Sequence, residues 1–335
     1  MKALQTTALL LLTAWLVPLH EARGATPSSG QVHTLENVAA SVRPPGPPVW
    51  EFTRNGKKIL VLGTISYLPR DMALDVAQII QGITTAQAIV SPPGLVVGDN
   101  IGFFRGLMLW PGIRKNRLNS DGRTLRDVLS PTLYSKWERA ESRYGPPSSS
   151  DRLHPAYAAF ELFEAAAQQA RLDPDPSTIS LVRSTARKHG LEEFDARLHL
   201  PIDNPKQAVR DFRIAATDDV QCLQQTLERI DTFLKEAKPL GDAWATGDVG
   251  SLEMWANDRS SMEYCWSTLT NQEIARQQGI AELHEAIDDR WMEEMAKALA
   301  SHDTVFTAMS LREMFEVDGI GAKLRRSGFD MGSPD

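Results

Sequence analysis

Two serines that follow short apolar runs are the first residues in the sequence whose side chains could do chemistry. Ser66 closes the segment Gly63-Thr64-Ile65-Ser66, directly after the apolar residues 59–62, and Ser310 closes a similar segment, Thr307-Ala308-Met309-Ser310. A short apolar run bounded by glycine or polar residues predicts a strand covered on both faces. Because α/β sheets hold their ligands at the carboxyl ends of such strands, the sequence predicts a site where these two strands end.

The chemistry open to these hydroxyl groups is limited. A serine becomes a nucleophile when a base lies beside it, but the sequence has no Gly-x-Ser-x-Gly elbow and no base adjacent to Ser66. Covalent catalysis would therefore need bases that converge only after folding. A neutral hydroxyl is also a poor metal ligand, since divalent ions in proteins are held by imidazole, thiolate or carboxylate groups.

The two segments resemble the two Gly-x-x-His signatures of the TraB/GumN family, which includes the Tiki metalloproteases. The resemblance spans about residues 49–331 and includes the segments 124–131 and 243–253. It implies a metal-dependent hydrolase as the ancestor. Here Ser66 and Ser310 stand where the family has histidines, and Ser91 stands where the family has a glutamate at the end of a third strand. The loss of all three groups predicts that no metal and no other cofactor is bound.

One arginine also matches the family pattern. Arg290 corresponds to the arginine of an Arg-Asn pair, and Trp291 replaces the asparagine. From its spacing alone, Arg290 is expected to pair with Glu294 one helical turn further on. From the resemblance, it is expected to point into the pocket. The candidate pocket residues are Gly63, Thr64, Ser66, Ser91, Arg290, Thr307 and Ser310.

The histidines do not restore a metal site. Five of them lie beyond residue 48 and show no His-x-x-x-His or glutamate-flanked spacing, so each is interpreted as a surface or boundary residue: His154, His189, His199, His284 and His302.

Two functions from different classes remain open. The first is a catalytically silent member of the family that binds a ligand, a peptide or an envelope component in the ancestral pocket. The second is an active, metal-dependent, peptidase-like hydrolase whose polar groups have been rearranged, with Glu313 or Asp71 acting near the two serines. A divalent metal is expected only in this second case. The sequence favours the first function because three matching groups are altered together.

The elements that position these residues indicate an α/β fold with a small mixed sheet and many flanking helices. Strands are expected near Val49, Ile59, Ala88 and Val305, with an Asn55-Gly56 hairpin turn between the first two. The segment 124–279 is expected to form a helical subdomain. A helix over residues 71–82, capped by Asp71, is expected to follow the first signature.

The remaining organisation follows from composition and charge. Residues 1–24 have the short basic start, apolar stretch and small cleavage residues of a secretory signal, and residues 25–48 form a Pro/Ser-rich leader. Residues 49–332 form the TraB/GumN-like domain. No later segment is apolar enough to predict a transmembrane helix, so the protein is expected to be periplasmic or secreted. A net charge of −7 argues against a nucleic-acid partner.

An apolar segment over residues 96–117 has two open interpretations. It is either an insert packed on the core or an exposed apolar surface beside the pocket.

The only two cysteines, Cys222 and Cys265, are predicted to form a disulfide because an exported protein meets an oxidising compartment. Cys222 is expected to face away from the apolar stripe of Val220, Leu223 and Leu227. Two buried free thiols remain the alternative.

Overall fold

The computed structural model describes residues 46–101, 109, 112, 115–145, 151–174, 177–211, 216–257 and 282–334. The predicted signal, most of the predicted leader, part of the apolar segment 96–117 and Cys265 lie outside the described residues. The predictions that concern these residues therefore stay predictions.

The described chain contains ten strands. They are β1 (Val49–Arg54), β2 (Lys57–Thr64), β3 (Leu68–Pro69), β4 (Ala88–Val90), β5 (Leu95–Val97), β6 (Leu172–Asp173), β7 (Glu192–Phe194), β8 (Leu198–Leu200), β9 (Thr304–Ser310) and β10 (Asp330–Gly332).

Eleven α-helices lie between and after the strands of the described chain. They are α1 (Ala77–Thr85), α2 (Leu125–Val128), α3 (Pro131–Tyr144), α4 (Pro155–Gln169), α5 (Ser177–Lys188), α6 (Pro205–Asp211), α7 (Ala216–Thr246), α8 (Val249–Asn257), α9 (Leu283–Ser301), α10 (Leu311–Phe315) and α11 (Ile320–Arg326).

A mixed six-stranded sheet with the order β10-β1-β2-β9-β4-β7 organises the fold. Strand β1 is antiparallel to both of its neighbours, whereas β2, β9, β4 and β7 run parallel to one another. The mixed α/β class is confirmed, and all four predicted strands lie in this sheet. The turn at Asn55 and Gly56 has φ values of 49° and 79°, as the tight turn between two strands requires.

Helices cover both faces of the sheet. Side chains alternate along each strand, so each face of the sheet carries apolar side chains that pack against a helix. On one face Phe306 packs against α1 so closely that a Cβ on Gly82 would lie 2.9 Å from its ring. On the other face the backbone of Gly63 meets Leu311 and Met314 of α10. This double coverage explains why residues 59–62 form an unbroken apolar run, all of them buried.

The middle of the chain builds a second apolar core from helices. Side chains of α2, α3, α4 and the first two thirds of α7 form a cluster that is separate from the sheet core. Tyr67, next to the first signature, packs edge-on against Phe163 and Phe233 of this cluster. The helical subdomain therefore contacts the chain directly at the end of β2.

Two sequence-based expectations at the level of elements are wrong. The helix after the first signature begins at Ala77, not at Asp71, whose exposed carboxylate instead pairs with Arg171 at 2.7 Å. Cys222 does not face away from the core: it is 2% exposed and lies with Leu223 in the second cluster. The buried face of α7 is centred on residues 219, 222, 223, 226 and 230, about one position from the stripe that apolar side chains alone suggested.

None of the helices in the described part of the chain is long and apolar enough to cross a membrane.

Candidate functional site

The four parallel strands end side by side, and we call the row of residues at and just beyond their ends the carboxyl edge. Thr64 pairs with Ser310, and Val90 pairs with both Thr307 and Phe194. The edge therefore carries Ser66 beyond β2, Ser310 at the end of β9, Ser91 after β4 and Asp195 after β7. This is where α/β sheets commonly place polar functional groups.

Ser310 is the N-cap of α10. Its hydroxyl oxygen accepts a hydrogen bond from the backbone N–H of Arg312 at 3.2 Å. The Glu313 carboxyl group in turn accepts the backbone N–H of Ser310. These two bonds satisfy two backbone donors at the start of the helix, as in a capping box, although the Ser310 oxygen accepts from the second helical residue and not from the third.

Ser91 is buried, with 4% of its surface exposed, and its hydroxyl group joins two strand ends. The oxygen accepts the backbone N–H of Ala196 at 2.9 Å, and the hydroxyl donates to Asp195 Oδ1 at 3.3 Å. Both its lone pair and its proton are therefore used to hold the chain that follows β7.

Ser66 differs from the other two serines because it is exposed. It precedes Tyr67, a bulky residue with a φ of 62°, which is an uncommon backbone conformation for an L-residue. The Tyr67 hydroxyl donates to Glu164 on α4, and its ring packs in the helical core. These contacts hold the turn that presents Ser66 at the edge.

Gly63 lies where the backbone is most closely surrounded. A Cβ at this position would lie 2.4 Å from both Leu311 Cδ2 and Trp50 Cζ3. The carbonyl of Gly63 accepts the indole N–H of Trp244 at 2.7 Å, although Trp244 is distant in sequence and fully buried. The glycine of the signature is thus required by packing.

The seven candidate pocket residues do not all face the same side of the sheet. Since paired residues of adjacent strands point the same way, Thr64 and Ser310 share one face, and Gly63 lies on the other. Thr307 also lies on the Gly63 face and is 1% exposed, so its side chain belongs to the sheet core. The structure brings Thr64 and Ser310 together and separates Thr307 from them.

Arg290 pairs with Glu294, as its spacing predicts, and also reaches the chain after β7. Its guanidinium pairs with Glu294 at 2.7 Å and also donates to the carbonyl of Asp195 at 3.4 Å. The neighbouring Trp291 is fully buried and donates its indole N–H to the carbonyl of Ser91 at 3.2 Å. Both residues of the pair therefore reach the carboxyl edge from α9.

A charged cluster at the end of β7 was missed by reasoning from the sequence. Asp195 accepts two bonds from the Arg197 guanidinium, at 2.7 and 2.6 Å, and lies 3.2 Å from His199 Nε2. The Arg197 bonds are the main reason that the pKa of Asp195 lies well below its usual range. The other ring nitrogen of His199 lies 2.7 Å from Asp99. From the sequence, His199 is interpreted as a surface or boundary residue, because it shows no His-x-x-x-His or glutamate-flanked spacing.

Glu313 is the other functional candidate at the edge. Its side chain is half-buried but its carboxyl group is shielded from water, and this desolvation raises its pKa to about 8. The neighbouring carboxylates of Asp288 and Glu316 add to the rise, and the bond from the Ser310 N–H opposes it. Asp288 is itself held by Lys323 at 3.1 Å. The Ser-x-x-Glu spacing of residues 310–313 is a capping-box signal that the sequence does contain.

A small cleft lies at the carboxyl edge. This cleft between β4 and α5, lined in part by Ser91, Ala308 and Val182, has room for roughly one or two water molecules. In the described residues no three His, Cys, Asp or Glu side chains are grouped so that they could hold a metal ion.

The fold and the polar carboxyl edge define an α/β protein built around a mixed sheet with four parallel strands. The model of the TraB/PrgY/gumN family matches residues 48–332, which is most of the chain, and the chain belongs to this family. Among curated proteins and among solved structures, no match was found.

Proposed function

We propose that this protein is an exported, catalytically silent member of its family that binds a ligand, a peptide or an envelope component at the carboxyl edge. The observation that carries the proposal is the role of two of the three substituted serines. Ser310 and Ser91 each use their hydroxyl oxygen to accept a backbone N–H, at 3.2 and 2.9 Å. Groups that correspond to metal ligands in the family here support the scaffold.

The position of the third serine, Ser66, favours ligand binding over catalysis. Ser66 is exposed at the edge, and the backbone on either side of it is fixed by Gly63 and Tyr67. A rigid, accessible turn is suited to contact with a ligand, since little conformational entropy is lost when the ligand binds. Among the described residues, no base is bonded to Ser66 that would activate its hydroxyl for attack.

One observation favours the alternative, an active hydrolase with a rearranged site. Glu313 has a carboxyl group with a pKa near neutrality, close to Ser310 and Asp288. A carboxylic acid that titrates near pH 7 can act as a general acid or base. Asp71, the other candidate for this role, is exposed and paired with Arg171.

A peptide library with a fluorophore and quencher on each peptide tests the two functions together. We expect no cleavage with added Zn²⁺, Mn²⁺ or Co²⁺, and we expect binding that Ser66→Trp weakens because the larger side chain blocks the edge. Cleavage that Glu313→Gln abolishes would support the hydrolase. Thr53→Trp, at the other end of the sheet, is the matched control, and equal loss of binding in both variants would count against a site at the edge.

A further inference from the structure

We propose that His199, on β8, is a pH-responsive clamp. Through Asp99 it holds the two strands of a ribbon together, and through Asp195 it holds that ribbon to the carboxyl edge of the main sheet. The ribbon consists of β5 and β8 with the residues that follow each strand, Gly98–Asn100 and Pro201–Ile202. The clamp does not depend on what the edge binds, so it goes beyond the proposed function.

The contacts of the imidazole ring carry this inference. Nδ1 lies 2.7 Å from Asp99 Oδ2, and Nε2 lies 3.2 Å from Asp195 Oδ2. An ionised carboxylate only accepts hydrogen bonds, so each ring nitrogen must carry a proton to satisfy its partner. A neutral imidazole carries one N–H and can satisfy only one of the two carboxylates. The arrangement therefore fits the imidazolium form.

Asp195 is a fixed anchor for one side of the clamp. The Arg197 side chain donates two bonds to it, Ser91 donates a third at 3.3 Å, and its backbone carbonyl accepts from Arg290. These bonds tie Asp195 to β4 and to α9. When His199 loses its proton, Asp195 has strong alternative partners and stays in place.

Asp99 belongs to the ribbon, on the other side of the clamp. The preceding Gly98 donates its N–H to the carbonyl of Leu200 at 2.9 Å. The following Asn100 exchanges two bonds with the backbone of Ile202, at 2.9 and 3.1 Å. Because His199 lies on β8, loss of its bond to Asp99 would remove the charged contact between the two sides of the ribbon and leave these neutral bonds.

The charged groups around the ring identify His199 as the group that titrates. The two carboxylates, Asp99 first and then Asp195, raise the pKa of His199 above its ordinary value of 6.5. Other charges are paired near the cluster: Arg197 with Asp195, Arg290 with Glu294, and Glu193 with Arg183. Because the ring is partly exposed, solvent moderates this rise in the pKa. Histidine is the side chain whose charge most readily changes with pH near neutrality.

Amide hydrogen exchange tests the clamp in the full-length protein. Protection factors of residues 95–101 and 198–202, corrected for the intrinsic pH dependence of exchange, should fall by about tenfold from pH 6 to pH 9. His199→Gln should show the low protection at both pH values, because glutamine cannot carry the charge. Asp99→Asn should show an intermediate loss at pH 6.

The matched control is His302→Gln, since His302 contacts one carboxylate, Glu192 at 2.9 Å, at the other end of β7. This variant should leave the ribbon unchanged. A direct NMR titration of the His199 ring in the wild-type protein does not depend on the folding of any variant and should give a midpoint above 6.5. A midpoint at or below that value, pH-independent protection of the ribbon, or equal loss in His302→Gln would overturn the proposal.

Discussion

At the scale of single residues, two kinds of position have the clearest consequences for stability. At one kind, packing leaves no room for a side chain, and at the other, a polar side chain is shielded from water. Gly63 and Glu313 illustrate the two cases. One has no room for a Cβ, and the other has a carboxyl group that burial holds in its protonated form at neutral pH.

Gly63→Ala should destabilise the protein by about 1–3 kcal/mol, because the added methyl group meets two buried side chains at 2.4 Å. Urea denaturation measures the free energy of unfolding. Gly250→Ala is the control, since its Cβ would meet its nearest neighbour at an ordinary 3.8 Å inside a helix. This variant should be neutral or stabilising by up to about 1 kcal/mol. Equal effects in the two variants would contradict the close packing at the signature.

Glu313 should make stability depend on pH. The pKa of its carboxyl group is raised from 4.5 to about 8 by folding, so its contribution is complete below pH 4.5 and is lost as the pH rises through 8. Relative to Glu313→Gln, the wild-type free energy of unfolding should fall between pH 5 and 8 by at most about 1.4 kcal/mol per pH unit.

Glu293→Gln is the control for this prediction. Lys297 lowers the pKa of the exposed Glu293 carboxyl group, so its contribution changes only at more acidic pH. The difference between wild type and Glu293→Gln should therefore be flat from pH 5 to 8. A flat difference for Glu313→Gln as well would show that its carboxyl group is ionised in the folded protein at neutral pH.

At the scale of elements, buried tryptophans fasten helices to the ends of strands. Trp244 at the end of α7 bonds the carbonyl of Gly63, and Trp291 on α9 bonds the carbonyl of Ser91. Each indole replaces the water that a strand-end carbonyl would otherwise bind. The helices thereby fix two of the four strand ends at the carboxyl edge.

Trp244→Phe and Trp50→Phe form a matched pair that isolates the Trp244 bond. Both tryptophans are fully buried, but the indole nitrogen of Trp50 has no hydrogen-bond partner among the described residues. Trp244→Phe leaves the Gly63 carbonyl with a bond unmade, so it should cost about 1–3 kcal/mol more than Trp50→Phe by chemical denaturation. An equal or smaller cost for Trp244→Phe would mean that the bond contributes nothing.

Elements were predictable where local signals determine them. Ser130 caps α3 with Pro131 at its first position, and Asp248 accepts the N–H of Ser251 at the start of α8, so both helices begin at residue types that favour a helix start. The start of α1 was not predictable from Asp71. The Asp71 carboxylate pairs across the surface with Arg171, and the N-cap of α1 is Val76, which makes no side-chain capping bond. Asp75 accepts the N–H of Ala77, the first residue of the helix.

At the scale of the whole molecule, the parallel pairing of β2 with β9 joins segments that are about 240 residues apart in the chain, from Lys58 with Thr304 to Thr64 with Ser310. The two similar strand-and-turn segments predict a common site at the ends of these strands, but the sequence does not determine that the two strands pair. The His199 cluster was not predictable, because Asp99, Asp195 and His199 meet only after β5 pairs with β8. The face of the sheet on which each candidate pocket residue lies was not predictable either, because it depends on the register of the strands.

The disulfide is a prediction about the whole chain, since Cys222 is buried in the helical core and Cys265 lies outside the described residues. Thiol titration of the unfolded, unreduced protein should find no reactive thiols. In the chain-entropy model the bridge closes a loop of about 43 residues and should stabilise the fold by about 4 kcal/mol. Two reactive thiols per chain would show that both cysteines are free.

The central claim is that the carboxyl edge of this family member has given up metal-dependent chemistry. Its most direct test is the metal content of the purified protein after dialysis against metal-free buffer, measured by mass spectrometry. We expect only substoichiometric traces of transition metals, because the hydroxyls of Ser310 and Ser91 are bonded to backbone N–H groups and Ser66 alone is a weak ligand. A transition metal retained at one equivalent per chain, and lost on replacing Ser66 or Glu313, would contradict the claim.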